Sequence, residues 1–346
     1  MMPTVVMIHP GALGDVLLAL PAINHLRRKF PRHQHMLCAN HRIGEFLKNC
    51  GVIDGWLSVD GSSFSQLFSG SLENGSLIFD WLTRCDRAVA WVRDEAGTLE
   101  AVLKAYVPGE VRVCSPFSAG LPSIHQSHRF LDAALGETSG EDLEPGQLRL
   151  PGHLLEIGDA FLLRAGIEGE RKVVLLHPGS GSPFKCVRPE VFGEIVDALR
   201  HDGFVPVLLE GPADHAAVTQ VLRLVKERPI VLRNLDLSTL AAVLARMDLF
   251  VGHDSGVSHL SASLGVATVA LFGPTAVERW SPLGAHVTVV RTEACRCPDW
   301  EAVSRCIERS CLRISPHALL DISRRRLVNC NPSKILAKRL VSEQAV

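Results

Sequence analysis

VVMIHPGALGDV at residues 5–16 and VVLLHPGSGSPFK at residues 173–185 begin with the same phrase: two Val, two further apolar residues, then His-Pro-Gly. A short β-branched run that ends in a glycine turn predicts a buried strand followed by the start of a helix. The two copies lie about half the chain apart. We therefore predict two halves that each open with a strand and a glycine turn, and we expect the two turns to face each other.

The remaining sequence alternates predicted strands and helices, which is typical of parallel α/β sheets. One helix is expected to follow the first turn, over DVLLALPAINHLRRKF at residues 15–30. The Gly-, Glu- and Pro-rich residues 135–152 interrupt the alternation and predict a linker. Because 346 residues exceed the usual size of one domain, we predict domains at 1–152 and 153–330, with a helix over 331–346 that packs back on the first.

Composition argues against several classes of protein. The chain is 47% hydrophobic and 21% charged, and its net charge of -1 gives no overall electrostatic attraction for nucleic acid. Aromatic residues make up only 5% of the chain, so few rings are available for bases of a single strand to stack on. The first residues lack the basic region of a secretory signal, and no run of about 18 apolar residues could span a membrane. We expect a cytoplasmic protein.

The turn after the second repeat suits an anion. Small residues after a strand let backbone N–H groups approach a phosphate, and Ser180, Gly181 and Ser182 are followed by Lys185 as a counter-charge. The stretch does not end in the Gly-Lys-Ser/Thr of a Walker loop, and GALGDV lacks the three-glycine spacing of a dinucleotide fingerprint. A nicotinamide enzyme is therefore disfavoured.

A second candidate lies in FVGHDSGVSHLSASLG, residues 250–265. Asp254 ends a predicted strand, Ser255 and Gly256 form the turn, and His259 lies one turn into the next helix, whose free N–H groups offer another anion site. The alternative is that Asp254 is only a helix cap and His259 a core residue. The chain contains no Asp-x-Asp pair, so a diphosphate neutralised by Lys185 and backbone dipoles is favoured over one bridged by a metal.

Asp15, in the first turn of its predicted helix, is a candidate general base, although an acidic residue there is favourable without any function. Helix N–H groups around the carboxylate should keep it ionised, as a base must be.

Together, PGALGDVLLALPAI, LLHPGSGSPFK, FVGHDSGVSHLSASLGVATVALFGPT and ERWSPLG resemble glycosyltransferase family 9, the heptosyltransferases of lipopolysaccharide biosynthesis. The resemblance implies a GT-B fold, in which two Rossmann-like domains face each other across a cleft. It also implies inverting transfer of a heptose from an ADP-activated donor to a lipid-linked, lipopolysaccharide core-type acceptor, without a divalent metal or other cofactor.

The resemblance also assigns roles to residues of this chain. Asp15 matches the family's proposed base, and Lys185 matches the lysine that neutralises the departing diphosphate. The positions that match nucleotide-sugar contacts are Gly11, Gly14, Ser180, Gly181, Ser182, Glu210, Asp254, Ser255, Gly256, Val257 and His259. The chain departs from the family where Ser255 replaces Thr and where Lys185-Cys186-Val187-Arg188-Pro189 lacks the Trp of Lys-x-Trp-Pro.

Other interpretations stay open. A transferase or epimerase of the same fold could use a UDP-sugar, and a relative without activity could retain the nucleotide turns. Cys295, Cys297, Cys306 and Cys311 are spaced C-x-C-x8-C-x4-C, which is not a zinc pattern, so we predict packing thiols and no metal. The basic residues Arg324, Arg325, Arg326, Lys334, Lys338 and Arg339 form either a solvated helix face or a peripheral contact with the anionic cytoplasmic face of the inner membrane.

Overall fold

The first half of the chain forms a five-stranded parallel sheet. In this computed structural model, residues 2–116, 124–136 and 143–328 are described. The strands of this sheet are β1 (Thr4–Ile8), β2 (Gln34–Ala39), β3 (Gly55–Ser58), β4 (Cys85–Ala90) and β5 (Glu110–Val113). Their order is β3-β2-β1-β4-β5, and all of them pair in parallel.

The second half forms a six-stranded parallel sheet in the order β11-β10-β9-β6-β7-β8. Its strands are β6 (Val173–His177), β7 (Val205–Glu210), β8 (Ile230–Arg233), β9 (Leu249–His253), β10 (Thr268–Leu271) and β11 (Val287–Val290). In both sheets the chain starts in the middle, moves to one edge and returns to the other side of the first strand. Ligands of open parallel sheets bind at the carboxyl ends of the strands beside this reversal, which here lies between β1 and β4 and between β6 and β9.

Helices connect the strands and cover both faces of the sheets. They are α1 (Leu13–Leu18), α2 (Leu20–Lys29), α3 (His41–Asn49), α4 (Ser62–Ser65), α5 (Leu77–Leu82), α6 (Thr98–Tyr106), α7 (Gln126–Leu135), α8 (Gly152–Arg164), α9 (Pro189–His201), α10 (His215–Leu224), α11 (Leu237–Leu244), α12 (Gly256–Ser263), α13 (Val277–Trp280), α14 (Trp300–Arg305) and α15 (Pro316–Val328). No helix within the described ranges is long and apolar enough to cross a membrane.

The single helix predicted after the first turn is wrong, because α1 and α2 are separate helices that meet at Ala19. Pro21 lacks an N–H group and its ring crowds the carbonyl four residues earlier, so an uninterrupted helix is disfavoured there. The break lets α1 end after six residues. Asp15 lies in the first turn of this short helix, which begins at Leu13.

The elements of the second half that were not predicted include the strand β11 and the helix α8, which directly follows the predicted linker and packs against α11. The end of the linker is attached to the second half, since Leu148 N–H donates to the Ser263 carbonyl over 2.7 Å. The domain boundary at 152/153 therefore separates the two sheets, and it stays a prediction. The predicted helix at 331–346 lies outside the described residues.

The basic tail is partly used inside the fold. Arg324 forms two hydrogen bonds with Asp202, at 2.7 and 3.0 Å, and Arg326 donates to Thr288 and to the carbonyl of Val287. These contacts attach α15 to α9 and β11. Lys334, Lys338 and Arg339 lie outside the described part of the chain, so membrane contact stays a prediction.

Candidate active site

The first turn presents Asp15 at the carboxyl end of β1. Ala12 N–H donates to the Asp15 carboxylate over 3.2 Å. Glycine is needed at position 11, because a Cβ there would lie 2.7 Å from the His9 ring and 2.9 Å from the Asp15 Cβ. Burial of the carboxyl raises the pKa of Asp15, against the lowering effects of the Ala12 hydrogen bond and of the Lys185 charge. The backbone N–H group favours the ionised form, as expected from the sequence, but burial outweighs it, and the group becomes a stronger base.

The second turn brings Lys185 to the carboxyl end of β9. Lys185 Nζ donates to Asp254 Oδ2 over 2.7 Å, and Ser180 Oγ donates to the Asp254 carbonyl over 3.1 Å. The Lys185 ammonium also lies 5.7 Å from the centre of the Trp300 ring. The local sequence lacks the Trp of Lys-x-Trp-Pro, but Trp300, more than 100 residues later in the chain, places an indole ring at the lysine.

The third turn joins β9 to α12 and contains an unsatisfied hydroxyl group. Ser255 is the N-cap residue of α12, yet its side chain caps no backbone N–H. Its Oγ is buried and has no hydrogen-bond partner among the described residues. A buried polar atom without a partner costs about 1–3 kcal/mol, so this hydroxyl and the first N–H groups of α12 are suited to an incoming acceptor atom.

The three turns converge where the two halves meet. A Cβ on Gly256 would lie 3.2 Å from the Gly14 nitrogen, and one on Gly14 would lie 3.1 Å from the His259 ring, so both glycines allow α1 and α12 to approach closely. Asp15 is near enough to feel the charges of Lys185 and Asp254. The first turn therefore lies closest to the Asp254–Gly256 turn. The 173–185 turn contributes Lys185, which binds Asp254 and whose charge acts on Asp15.

The remaining predicted residues surround this point in different ways. Ser182 Oγ accepts from Phe184 N–H, Gly181 is exposed, and Val257 packs into the apolar core. His259 is buried, and burial lowers its pKa to about 4, so its ring is neutral. Glu210 ends β7 with one carboxylate oxygen 3.0 Å from His215 Nδ1 and the other accepting from Arg233 over 2.8 Å.

His253 was assigned no function from the sequence, although it holds both ends of the turn that carries Lys185. It is fully buried at the end of β9. Val187 N–H donates to its Nε2 over 2.9 Å, which makes Nδ1 the protonated nitrogen, and Nδ1 donates to the Gly179 carbonyl over 3.1 Å. Burial lowers the pKa of His253 to about 4, which keeps this tautomer neutral. A histidine closing an otherwise apolar strand was the available sequence signal.

Replacing His253 with Phe should therefore destabilise the protein. The ring volume is retained, but the Gly179 carbonyl and the Val187 N–H lose their partner. At about 1–3 kcal/mol for each orphaned group, we expect the free energy of unfolding in urea to fall by about 3 kcal/mol. His153→Phe, at an exposed position of α8, should change it by less than about 0.5 kcal/mol.

The same substitution should change the pH dependence of stability. The pKa values of His9, His253 and His259 are all lowered to about 4 by burial, whereas unfolded histidine titrates near 6.5. The unfolded chain therefore binds protons first, so this stability is present above about pH 6.5 and is lost as the pH falls toward 4. His253→Phe should reduce the slope of unfolding free energy against pH in that window by up to about 1.4 kcal/mol per unit; an unchanged slope would contradict a neutral buried His253.

Gly179 is a second structural requirement of the turn. A Cβ at this position would lie 1.8 Å from Asp214 Oδ1. The Asp214 carboxylate cannot move away easily, because His177 Nε2 lies 2.8 Å from its Oδ2 and Gly211 N–H donates to the same oxygen over 2.9 Å. The buried pair therefore sets the position of the backbone that leads to Ser180.

Gly179→Ala should lower the free energy of unfolding by about 1–3 kcal/mol, the usual cost of overpacking. Gly181→Ala is the matched control, since a Cβ there meets nothing within 4 Å, and it should stay within about 0.5 kcal/mol of the parent. Equal stability of the two variants would show that the Asp214 carboxylate can move aside to make room for the added methyl group.

This arrangement of turns agrees with a known family. Residues 153–307 match the family model of glycosyltransferase family 9 (heptosyltransferase). The second half of the chain is therefore similar to glycosyltransferase family 9. The match covers all six strands of the second sheet, β6 to β11, and therefore includes Lys185, Asp254 and His259, whereas Asp15 lies before it.

Two curated relatives of the chain are heptosyltransferases. Lipopolysaccharide heptosyltransferase 3 of Escherichia coli K12 is 31% identical over 113 residues, which are 32% of this chain and 33% of that protein. Lipooligosaccharide heptosyltransferase 2 of Campylobacter jejuni serotype O:2 is 31% identical over 140 residues, 39% of this chain and 42% of that protein. The matched stretches thus span about a third to two fifths of these relatives.

Solved structures of a family 9 glycosyltransferase and of a heptosyltransferase share the fold over nearly the whole chain. A glycosyltransferase of family 9 from Veillonella parvula has a TM-score of 0.78 at 19% identity and covers 94% of this chain and 97% of its own. The E. coli ADP-heptose lps heptosyltransferase II has a TM-score of 0.73 at 18% identity, with 94% and 98% covered. The predicted GT-B fold, with two Rossmann-like sheets, is confirmed.

The four clustered cysteines, Cys295, Cys297, Cys306 and Cys311, are free thiols. The Cys297 thiol contacts those of Cys295 and Cys306, and its pKa is raised to about 12 by desolvation and by these neighbours. Within the described ranges, no three His, Cys, Asp or Glu side chains are arranged to hold a metal ion. TibC of enterotoxigenic E. coli, with a TM-score of 0.57 at 13% identity, is an iron-containing glycosyltransferase, but this likeness shows the fold alone. The absence of a metal stays a prediction.

Proposed function

We propose that this chain is an inverting glycosyltransferase that moves a heptose from an ADP-activated donor to a lipopolysaccharide core-type acceptor. The observation that carries the proposal is the convergence of three turns: Asp15 from one half meets Lys185 and the unsatisfied Ser255 hydroxyl from the other. The printed names of the relatives support the donor and the acceptor, since one solved neighbour is an ADP-heptose heptosyltransferase and a curated relative acts in lipopolysaccharide synthesis.

In the proposed donor site, the diphosphate lies at the start of α12. Backbone N–H groups of Gly256 and Val257, the Ser255 hydroxyl and the helix dipole would face its oxygens. Lys185 holds Asp254 with one of its three ammonium protons, which leaves two to donate to the phosphates. Ser180, Gly181 and Ser182 would line the other side, and Glu210, at the neighbouring carboxyl end of β7, would contact the nucleoside.

In the proposed reaction, Asp15 takes the proton from an acceptor hydroxyl as its oxygen attacks the anomeric carbon. The bond from that carbon to the diphosphate oxygen breaks, and the negative charge that develops on the leaving group is stabilised by Lys185 and by the N–H groups of α12. Burial favours both steps, because it makes the Asp15 carboxylate a stronger base and reduces screening of the lysine charge.

The donor is tested by isothermal titration with ADP, UDP and NAD in buffer containing EDTA. We expect ADP to bind without metal, and incubation with ADP-heptose and a truncated lipopolysaccharide acceptor to release ADP and lengthen the acceptor by one heptose. Binding of UDP alone would replace the donor and favour the UDP-sugar alternative. ADP binding with neither transfer nor donor hydrolysis would favour a relative without activity.

A further inference from the structure

A cavity of about 830 Å³ opens beside the turn of Lys185, on the α9 side of the second sheet. Its wall is formed by Pro183 and Cys186 of the turn, by the first residues of α9 and α10, and by residues 307–316 before α15. None of the candidate active-site residues lines it. The volume is in the range of small-molecule sites, so this cavity can be considered independently of the proposed donor site.

Positive charge dominates the cavity. Arg188, Arg309 and Arg313 line it, and Glu308 is the acidic residue of the lining, which leaves a net charge of +2. Among the described residues, none of the three guanidinium groups is in an ion pair. Guanidinium groups left without an anion around a concave surface are suited to a ligand with two negative charges.

Arg309 is held in place by its surroundings. Its backbone has φ 42°, in the left-handed region that is unfavourable for a residue with a Cβ. Its guanidinium lies 5.5 Å from the centre of the Phe184 ring. Phe184 directly precedes Lys185 in the chain. This contact of about 0.5–2 kcal/mol connects the arginine wall of the cavity to the turn.

Part of the cavity lining is apolar. Val187, Phe192 and Leu312 are buried side chains that reach its surface. Ile307, at its rim, is 96% exposed. A cavity lined by both apolar side chains and unpaired cations fits a molecule that has an uncharged part and an anionic group.

We propose that this cavity binds a small molecule with a phosphate monoester, whose phosphate contacts Arg188, Arg309 and Arg313 and whose uncharged part lies on Val187, Phe192 and Leu312. A phosphate monoester carries a charge of about −1.5 to −2 at pH 7, which matches the net charge of the lining. Residues from the first turns of α9, α10 and α15 also line the cavity, and the N-terminal end of a helix favours an anion. The proposal does not depend on the transferase activity.

The test is isothermal titration with phenyl phosphate, inorganic phosphate and phenol. We expect phenyl phosphate to bind more tightly than inorganic phosphate, and phenol not to bind. The double variant Arg188→Gln/Arg313→Gln should weaken phenyl phosphate at least tenfold. Arg149→Gln/Arg164→Gln, which removes the same charge from exposed positions outside the cavity, should leave the affinity within twofold.

Because the turn of Lys185 could also attract phosphate, Lys185→Ala is measured in parallel and should retain phenyl phosphate binding. Loss of binding in Lys185→Ala, equal loss in both arginine double variants, or no binding to the parent protein at millimolar concentration would overturn the proposal. Failure of ADP to bind would count against the proposed function and leave the result for the cavity unaffected.

Discussion

Asp15→Asn is expected to reduce transfer by about 10³–10⁴-fold while ADP affinity stays within threefold. The amide keeps an oxygen for the Ala12 N–H, so the turn should remain intact, but it cannot accept a proton from the acceptor hydroxyl. Transfer is measured as ADP release with saturating donor, and affinity by titration. Asp60→Asn, at an exposed position in the same half, is the control and should retain full activity. Turnover within tenfold of the parent would remove Asp15 as the base.

The pH profile of the parent enzyme provides a second readout for the same group. The base must be ionised, so kcat/KM should fall as the pH drops through the pKa of Asp15. Because burial raises that pKa, the acidic limb should lie above the range of an exposed aspartate, near 3.9. Asp15→Glu should keep a limb and move it, whereas the residual rate of Asp15→Asn should lack it.

Lys185→Ala is expected to lower the transfer rate by about 10²–10³-fold and to weaken ADP binding as well. The ammonium is paired with Asp254 at the Asp254–Gly256 turn, and loss of a single donor to developing charge typically has this effect. Lys104→Ala, which removes an exposed lysine from an ion pair with Glu100, should leave both quantities unchanged.

A structural effect of Lys185→Ala can be separated from the chemical one. Asp254 has 7% of its side chain exposed and would lose its cation, so we expect the free energy of unfolding to fall by about 1–3 kcal/mol. Adding Asp254→Asn removes the unpaired charge and should restore stability without restoring transfer. If the double variant recovers transfer, Lys185 acts only by neutralising Asp254.

The parts of the fold and site that could be predicted are those encoded over a few neighbouring residues. Apolar runs that end in glycine identified β1, β6 and β9, because a strand of a parallel sheet is buried on both faces and its turn needs small residues. The same local patterns placed Asp15, Lys185 and Asp254 at strand ends, where parallel sheets expose their ligand sites. The break at Ala19 was also encoded locally, by Pro21, but the apolar spacing on both sides concealed it.

By itself, the sequence determined that two α/β halves would each present a glycine turn, and which charged side chains would stand on those turns. Only the tertiary structure decided what surrounds them: Trp300 lies at the Lys185 ammonium, His253 closes the turn at Gly179 and Val187, and Ser255 is buried without a partner. These contacts join residues about 65 to 115 positions apart, and periodicity and turn chemistry act over only a few residues. The direction of the Asp15 pKa has the same origin, since burial beside the second half outweighs the local hydrogen bond at its helix start.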